Sequence, residues 1–159
     1  MISGRGNAQK PSRNHRACDL HHVAAMLLAD QRLNDLTGSI LAAAIEVHRV
    51  LGPGLLESIY FECVQFELGA RGFRFVTQQP IPVVYKSVRL QSMYRVDLII
   101  EDLVVVEIKS VDVLTPVYKS QVLTYLRLTE CPAGLLINFN VPRLMDGVKR
   151  LVNPRVGVR

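Results

Sequence analysis

The run 133–139 constrains this chain more than any other: it reads Ala-Gly-Leu-Leu-Ile-Asn-Phe, too apolar to be anything but a buried strand. Just upstream, Thr115-Pro116 supplies a cap residue and then proline at the first position of a helix that extends to about Thr129. A strand entered through a crossover helix lies parallel to one of the strands before it. The chain must therefore hold an earlier sheet for this strand to join, and helices to cover it.

That sheet is visible from Phe73 onward, where the apolar period falls from 3.6 towards 2 over three extended runs, about 73–85, 92–101 and 103–110. Pro80 and Pro82 interrupt the first, which makes it an edge strand or a bent one. Only Glu101-Asp102 divides the second from the third, a spacing that predicts a tight antiparallel hairpin. Two helices precede the strands. Thr37 or Ser39 caps the first, which carries Ile40, Leu41, Ala44, Ile45, Val47 and His48 at helical spacing to about Leu51, where Gly52-Pro53-Gly54 ends it. The second spans about 55–67 and is closed by Gly69 and Gly72. A short helix is expected over 142–152. The order α-α-β-β-β-α-β-α defines an α/β chain: a mixed central sheet of about four strands flanked by helices.

At 159 residues the chain is the size of one domain, and with 49% hydrophobic and 21% charged residues it is neither disordered nor fibrous. No apolar stretch approaches the roughly 18–20 residues that a bilayer span needs. Cys18, Cys63 and Cys131 are scattered, odd in number and without zinc-ligand or disulfide-framework spacing, and they suit a reducing cytoplasm. The net charge of +5 invites a polyanionic partner, yet five bases against two acids before Leu33 place +3 there and leave +2 for the rest. Bulk charge therefore says little. Residues 1–32 read as an N-terminal extension, 33–152 as the domain and 153–159 as a tail. Within the extension, residues 1–16 carry four bases, no acid and too little apolar surface to pack, and are expected to be a disordered arm. A start at Met26 would lose little that looks structural.

The chemistry is concentrated in two strands. Alternation sends Glu107 and Lys109 to one face and Val106 and Ile108 to the other. Pairing about the Glu101-Asp102 turn sets Asp97 opposite 106 or 107, so its carboxylate can meet that of Glu107. Two carboxylates converging on an apolar sheet repel unless a divalent cation that prefers oxygen lies between them, and Mg²⁺ or Mn²⁺ is the natural candidate. Lys109 is then placed to hold or polarise an attacking water and to neutralise charge developing on a phosphate oxygen, which is hydrolase equipment. On the helix after Pro116, Gln121 and Tyr125 are four apart and share a face, placed to contact a substrate backbone. Glu57 either complements the start of the second helix or completes a metal shell. His48 reads as a hydrogen-bonded core residue rather than a general base, and Tyr60 as a packing residue whose hydroxyl orients a neighbour.

These residues together resemble the PD-(D/E)XK nuclease-like superfamily and, within it, the small GxxExxY proteins. Gly54-Leu55-Leu56-Glu57-Ser58-Ile59-Tyr60 is GxxExxY as written, Asp97 with Glu107-Ile108-Lys109 is similar to the D…ExK core, and Gln121-Val122-Leu123-Thr124-Tyr125 resembles the QxxxY motif of the RecB-like branch. The likeness covers about 33–152, with Val96 where the proline of the superfamily's name would stand. It implies a mixed sheet with flanking helices, Mg²⁺ held at Asp97 and Glu107, Lys109 in catalysis and a DNA phosphodiester as substrate. It further implies that Glu57 is the upstream helical carboxylate and that Gln121 and Tyr125 face the substrate.

The expected function is a metal-dependent phosphodiester hydrolase, a DNA nuclease. The alternative is a nuclease-fold module that binds nucleic acid or protein and is inactive without a partner, since the chain shows no separate recognition domain, ATPase or strong basic groove. A hydrolase of small phosphoesters fits less well, because an open site edged by strands suits an extended polymer.

Overall fold

The computed structural model describes residues 13–156. Two units separate along the chain, Met1–Asp35 and Leu36–Arg159. Helix α1 (Arg13–Leu51) begins far upstream of the expected Thr37 or Ser39 cap. No proline and a single glycine, Gly38, occur between Arg13 and Leu51, so nothing in the sequence stops the helix from propagating through Thr37. Residues 13–16, expected in the disordered arm, thus start a helix, whereas 1–12 lie outside the described residues.

Helix α2 (Glu57–Ala70) follows the Gly52-Pro53-Gly54 turn, in which Gly52 and Gly54 adopt φ of 69° and 94°, values that a side chain would strain. Five strands then form one sheet in the order β1-β2-β3-β4-β5: β1 (Phe75–Tyr85), β2 (Val88–Ile100), β3 (Val104–Lys109), β4 (Ala133–Asn138) and β5 (Val148–Val152). Strands β1, β2 and β3 run antiparallel in sequence, and β3 pairs with β4 in parallel after the crossover through α3 (Pro116–Thr129). The result is a mixed five-stranded sheet with three helices, an α/β fold.

The stretch expected as a terminal helix is instead a short 3₁₀ turn, Leu144–Gly147, and the fifth strand. Strand β4 is buried along its whole length, so its outer edge would otherwise bury unpaired N–H and C=O groups. Strand β5 satisfies them, antiparallel from Ile137↔Val148 to Ala133↔Val152. Close packing fixes the neighbours: a Cβ on Gly134 would stand 2.7 Å from Val122 Cγ1 of α3, and one on Gly147 would collide with the carbonyl oxygen of Asn138. Asn153, expected in the tail, is buried and donates to Leu126 O and Cys131 O at 2.7 and 3.1 Å.

One irregularity sets the position of the site. Strand alternation would put Val96 and Ile99, three apart on β2, on opposite faces, yet both join the buried cluster that holds Val122, Tyr125 and Leu126 of α3. The switch of face falls at Asp97. Opposite it on β1, between the pairs Thr77↔Leu98 and Gln79↔Val96, Gln78 takes a left-handed φ of 50°. Pairing of β2 with β3 also ends here, at Leu98↔Val106. Beyond it β1 and β2 continue as a two-stranded ribbon, and residues 84–95 are all exposed.

Candidate active site

Asp97 sits where β2 leaves β3, and its carboxylate replaces the missing ladder bonds. Ile108 N–H donates to Oδ2 at 3.0 Å and Gln78 Nε2 donates to Oδ1 at 3.1 Å. On β3, Glu107 is 2% exposed; its Oε1 pairs with Lys109 Nζ at 2.8 Å. Among the described residues its Oε2 is the one buried side-chain oxygen or nitrogen with no partner. Lys109 Nζ reaches Glu57 Oε1 at 3.4 Å and lies 5.7 Å from the centre of the Tyr118 ring, so three groups hold one ammonium.

Glu57 reaches Lys109 because the GxxExxY segment is tied down at both ends. Tyr60 stacks on Phe139 with ring centres 4.5 Å apart, donates to Gly52 O at 2.7 Å and accepts from Leu55 N–H at 3.1 Å, spanning the glycine turn. Ser110, next to Lys109, donates its hydroxyl to Leu55 O at 2.6 Å. The motif thus has a mechanical meaning: glycines make the turn, the tyrosine staples it and the glutamate emerges at the first position of α2. His48 is hydrogen-bonded to Val141 O at 2.8 Å, the structural role expected of it.

Burial raises the Glu107 pKa to about 7, the Asp97 and Glu57 charges add to the rise, and Lys109 partly offsets it. Burial alone would lower the Lys109 ammonium, but its hydrogen bond to Glu107 and the surrounding carboxylates outweigh that and hold its pKa above the ordinary value. On α3, Gln121 donates to the Tyr125 hydroxyl, which lies 3.5 Å from Arg95 O, while Tyr94 packs edge-on to the Tyr125 ring at 5.6 Å. Tyr125 is 1% exposed and Gln121 is half-buried. Burial and the charge of Glu107 push the Tyr125 phenol upward.

The structure thus gathers Asp97, Glu107, Lys109 and Glu57 at one locus, with Tyr125 within their field. Sequence reasoning missed Gln78 and Tyr118. Tyr118 lies three residues before Gln121 and seven before Tyr125, a spacing that already marks one helical face. Gln78 carries no such mark, because only the β1–β2 register brings it to Asp97. Among the described residues no group of three or more His, Cys, Asp or Glu is arranged to hold a metal ion. Two carboxylates are nevertheless what Mg²⁺ commonly takes from a protein, the rest of its shell being water, and the unpartnered Glu107 oxygen beside Asp97 fits that demand.

The mixed sheet, with an acidic pair and a lysine at the break between β2 and β3, defines a nuclease-like α/β class. The model of the PD-(D/E)XK nuclease superfamily matches residues 34–151, and the chain belongs to that superfamily. No curated protein and no solved structure matches it. Among the described residues no helix is long and apolar enough to cross a membrane.

Proposed function

We propose that this chain is a divalent-cation-dependent DNA nuclease of the GxxExxY group, active in a reducing cytoplasm. The observation that carries the reading is the Glu107 carboxylate, buried beside Asp97 with one oxygen on Lys109 and the other unpartnered. A buried carboxylate left in this state is costly, and active sites are where such costs are kept. Asp97 and Glu107 would hold Mg²⁺ or Mn²⁺, with Glu57 as a further carboxylate at the rim. The bound cation supplies a Lewis acid for the phosphate oxygen and lowers the pKa of a coordinated water.

The chain's own residues do the rest. Lys109 positions the attacking water and offsets charge that develops on the phosphate, its direction set by Glu107, Glu57 and the Tyr118 ring. Gln78 and Ile108 N–H fix the rotamer of Asp97. Tyr125 orients Gln121, the less buried member of the pair, towards the DNA strand.

The test is cleavage of labelled DNA with Mg²⁺ or Mn²⁺, comparing wild type with Asp97→Ala and Lys109→Ala. Wild type is expected to cut only with the cation, and each variant to be slower by on the order of 10²–10³. An Asp97→Ala protein that cuts as fast as wild type overturns the assignment.

One observation favours a second reading. Lys109 already bridges Glu107 and Glu57, and both Asp97 oxygens accept hydrogen bonds, so the chain itself closes the acidic site. In that reading the fold is a binding module that a partner protein must open. A wild type that binds DNA and the cation yet leaves the strand intact supports it.

A further inference from the structure

We infer that the β1–β2 ribbon beyond Asp97 is a DNA-binding arm that enters the major groove of a duplex and presents the backbone to the acidic site. The inference rests on the nuclease reading and assigns its duplex-binding element.

Four observations carry it. The ribbon has no third strand, since β2 pairs with β3 only from Leu98 to Ile100, and the twelve residues 84–95 are exposed without a break. A two-stranded hairpin standing alone in water is marginally stable, so one that exposes Val84, Tyr85, Val88 and Met93 has surface available for a ligand. Its charge is of one sign: from Gln78 to Val96 the sequence contains Lys86, Arg89 and Arg95 and no Asp or Glu. The Lys86 ammonium lies over the Tyr85 ring at 5.6 Å, at the tip. Phosphate is the complement of such a surface.

Geometry selects the groove. The major groove of B-form DNA admits a two-stranded ribbon, whereas that of an A-form RNA duplex is too narrow and deep. Pro80 and Pro82 block the outer edge of β1 against strand addition by another chain, which argues for use of the ribbon's faces rather than its edge. The ribbon is also joined to the site at its root. Tyr94 pairs with Ile81 across the strands and packs on Tyr125, and Asp97 and Gln78 stand at the base. A duplex held by Lys86 and Arg89 would therefore be gripped by the same two strands that carry Asp97 and Gln78.

The test is the affinity of the full chain for a fluorescently labelled DNA duplex of about two helical turns, read by anisotropy across a salt series. Wild type is compared with the double variant Lys86→Gln/Arg89→Gln. The variant is expected to bind about tenfold more weakly, with a salt slope lower by about two, one for each lost phosphate contact. Its circular dichroism and Tm should match wild type, because both side chains are exposed. Equal affinity and slope in the two proteins overturn the inference and leave the nuclease reading intact. Equal binding of an A-form RNA duplex overturns the groove assignment, and a dimer in sedimentation that the double variant abolishes gives the ribbon to a second copy of the chain. A wild type that binds no duplex overturns the inference, and one that in addition neither binds nor cuts single-stranded DNA overturns the reading beneath it.

Discussion

Asn138 and Glu107 are equally buried, at 2% exposed, on neighbouring strands, yet both polar side-chain atoms of one have partners and one oxygen of the other has none. Asn138 accepts from Val111 N–H at 3.0 Å and Asn140 N–H at 3.3 Å and donates to Val111 O at 2.8 Å, which pins the chain just after Lys109. Glu107 has one partner and a bare oxygen. A buried polar group with each polar atom partnered rigidifies a scaffold, while one left short holds a cost that a ligand, a water or a proton removes. The C-terminal ends of β3 and β4 thus differ: Asn138 fixes the loop, and Glu107 keeps one oxygen without a partner.

The contrast is broken most severely at Asn138. Asn138→Ala strands the N–H and C=O of Val111 and is expected to lower stability by about 2–4 kcal/mol in urea denaturation. A loss below about 1 kcal/mol would mean that the three bonds are incidental and that completeness of partners does not separate the two sites.

Glu107→Gln should act in the opposite direction on stability. The folded pKa of about 7 lies above the ordinary carboxylate value of 4.5, so the folded state binds the proton more tightly than the unfolded chain. The stabilisation from protonation is complete below pH 4.5 and is lost as pH rises through 7. Without cations the Gln variant should therefore exceed wild type by on the order of 2 kcal/mol at pH 8, and the gap should close by pH 4. Added Mg²⁺ or Mn²⁺ should raise the Tm of wild type at pH 8 and leave the variant unmoved. A wild type whose advantage grows with pH contradicts the burial argument, and a variant that still responds to the cation removes Glu107 from the metal site.

How far sequence anticipated these features follows from the range of the interactions. The β2–β3 hairpin, the parallel entry of β4 and α3 were legible because turn chemistry, alternation and the Thr-Pro cap are local. Asp97 and Glu107 could be brought together from pairing arithmetic alone. Strand β5 was not legible, because Val148-Lys149-Arg150-Leu151-Val152 suits a strand or a helix turn and only the open edge of β4 decides between them. Upstream of Thr37 the difference has the opposite origin: Thr37 suits a helix start, but nothing before it stops the helix, which runs through it from Arg13. At the site, the dual role of Lys109 and the burial of Tyr125 depend on which elements stack, information that no window of sequence contains.

Gln78 marks the boundary between the buried sheet and the exposed ribbon, and its variants should produce the smallest effects. Its left-handed backbone costs about 1–2 kcal/mol, while its bond to the Asp97 carboxylate returns a similar amount. Gln78→Gly relieves the strain and loses the bond, so stability should stay within about 1 kcal/mol of wild type. Gln78→Ala loses the bond and keeps the strain, and should be less stable than the glycine variant by about 1 kcal/mol. Both free the Asp97 carboxylate to rotate and should lower kcat by roughly tenfold while KM holds, a split that a purely structural residue would not give. If both variants cut DNA at the wild-type rate, the left-handed turn serves only to change the face of the strand, and the orientation of Asp97 belongs to Ile108 N–H alone.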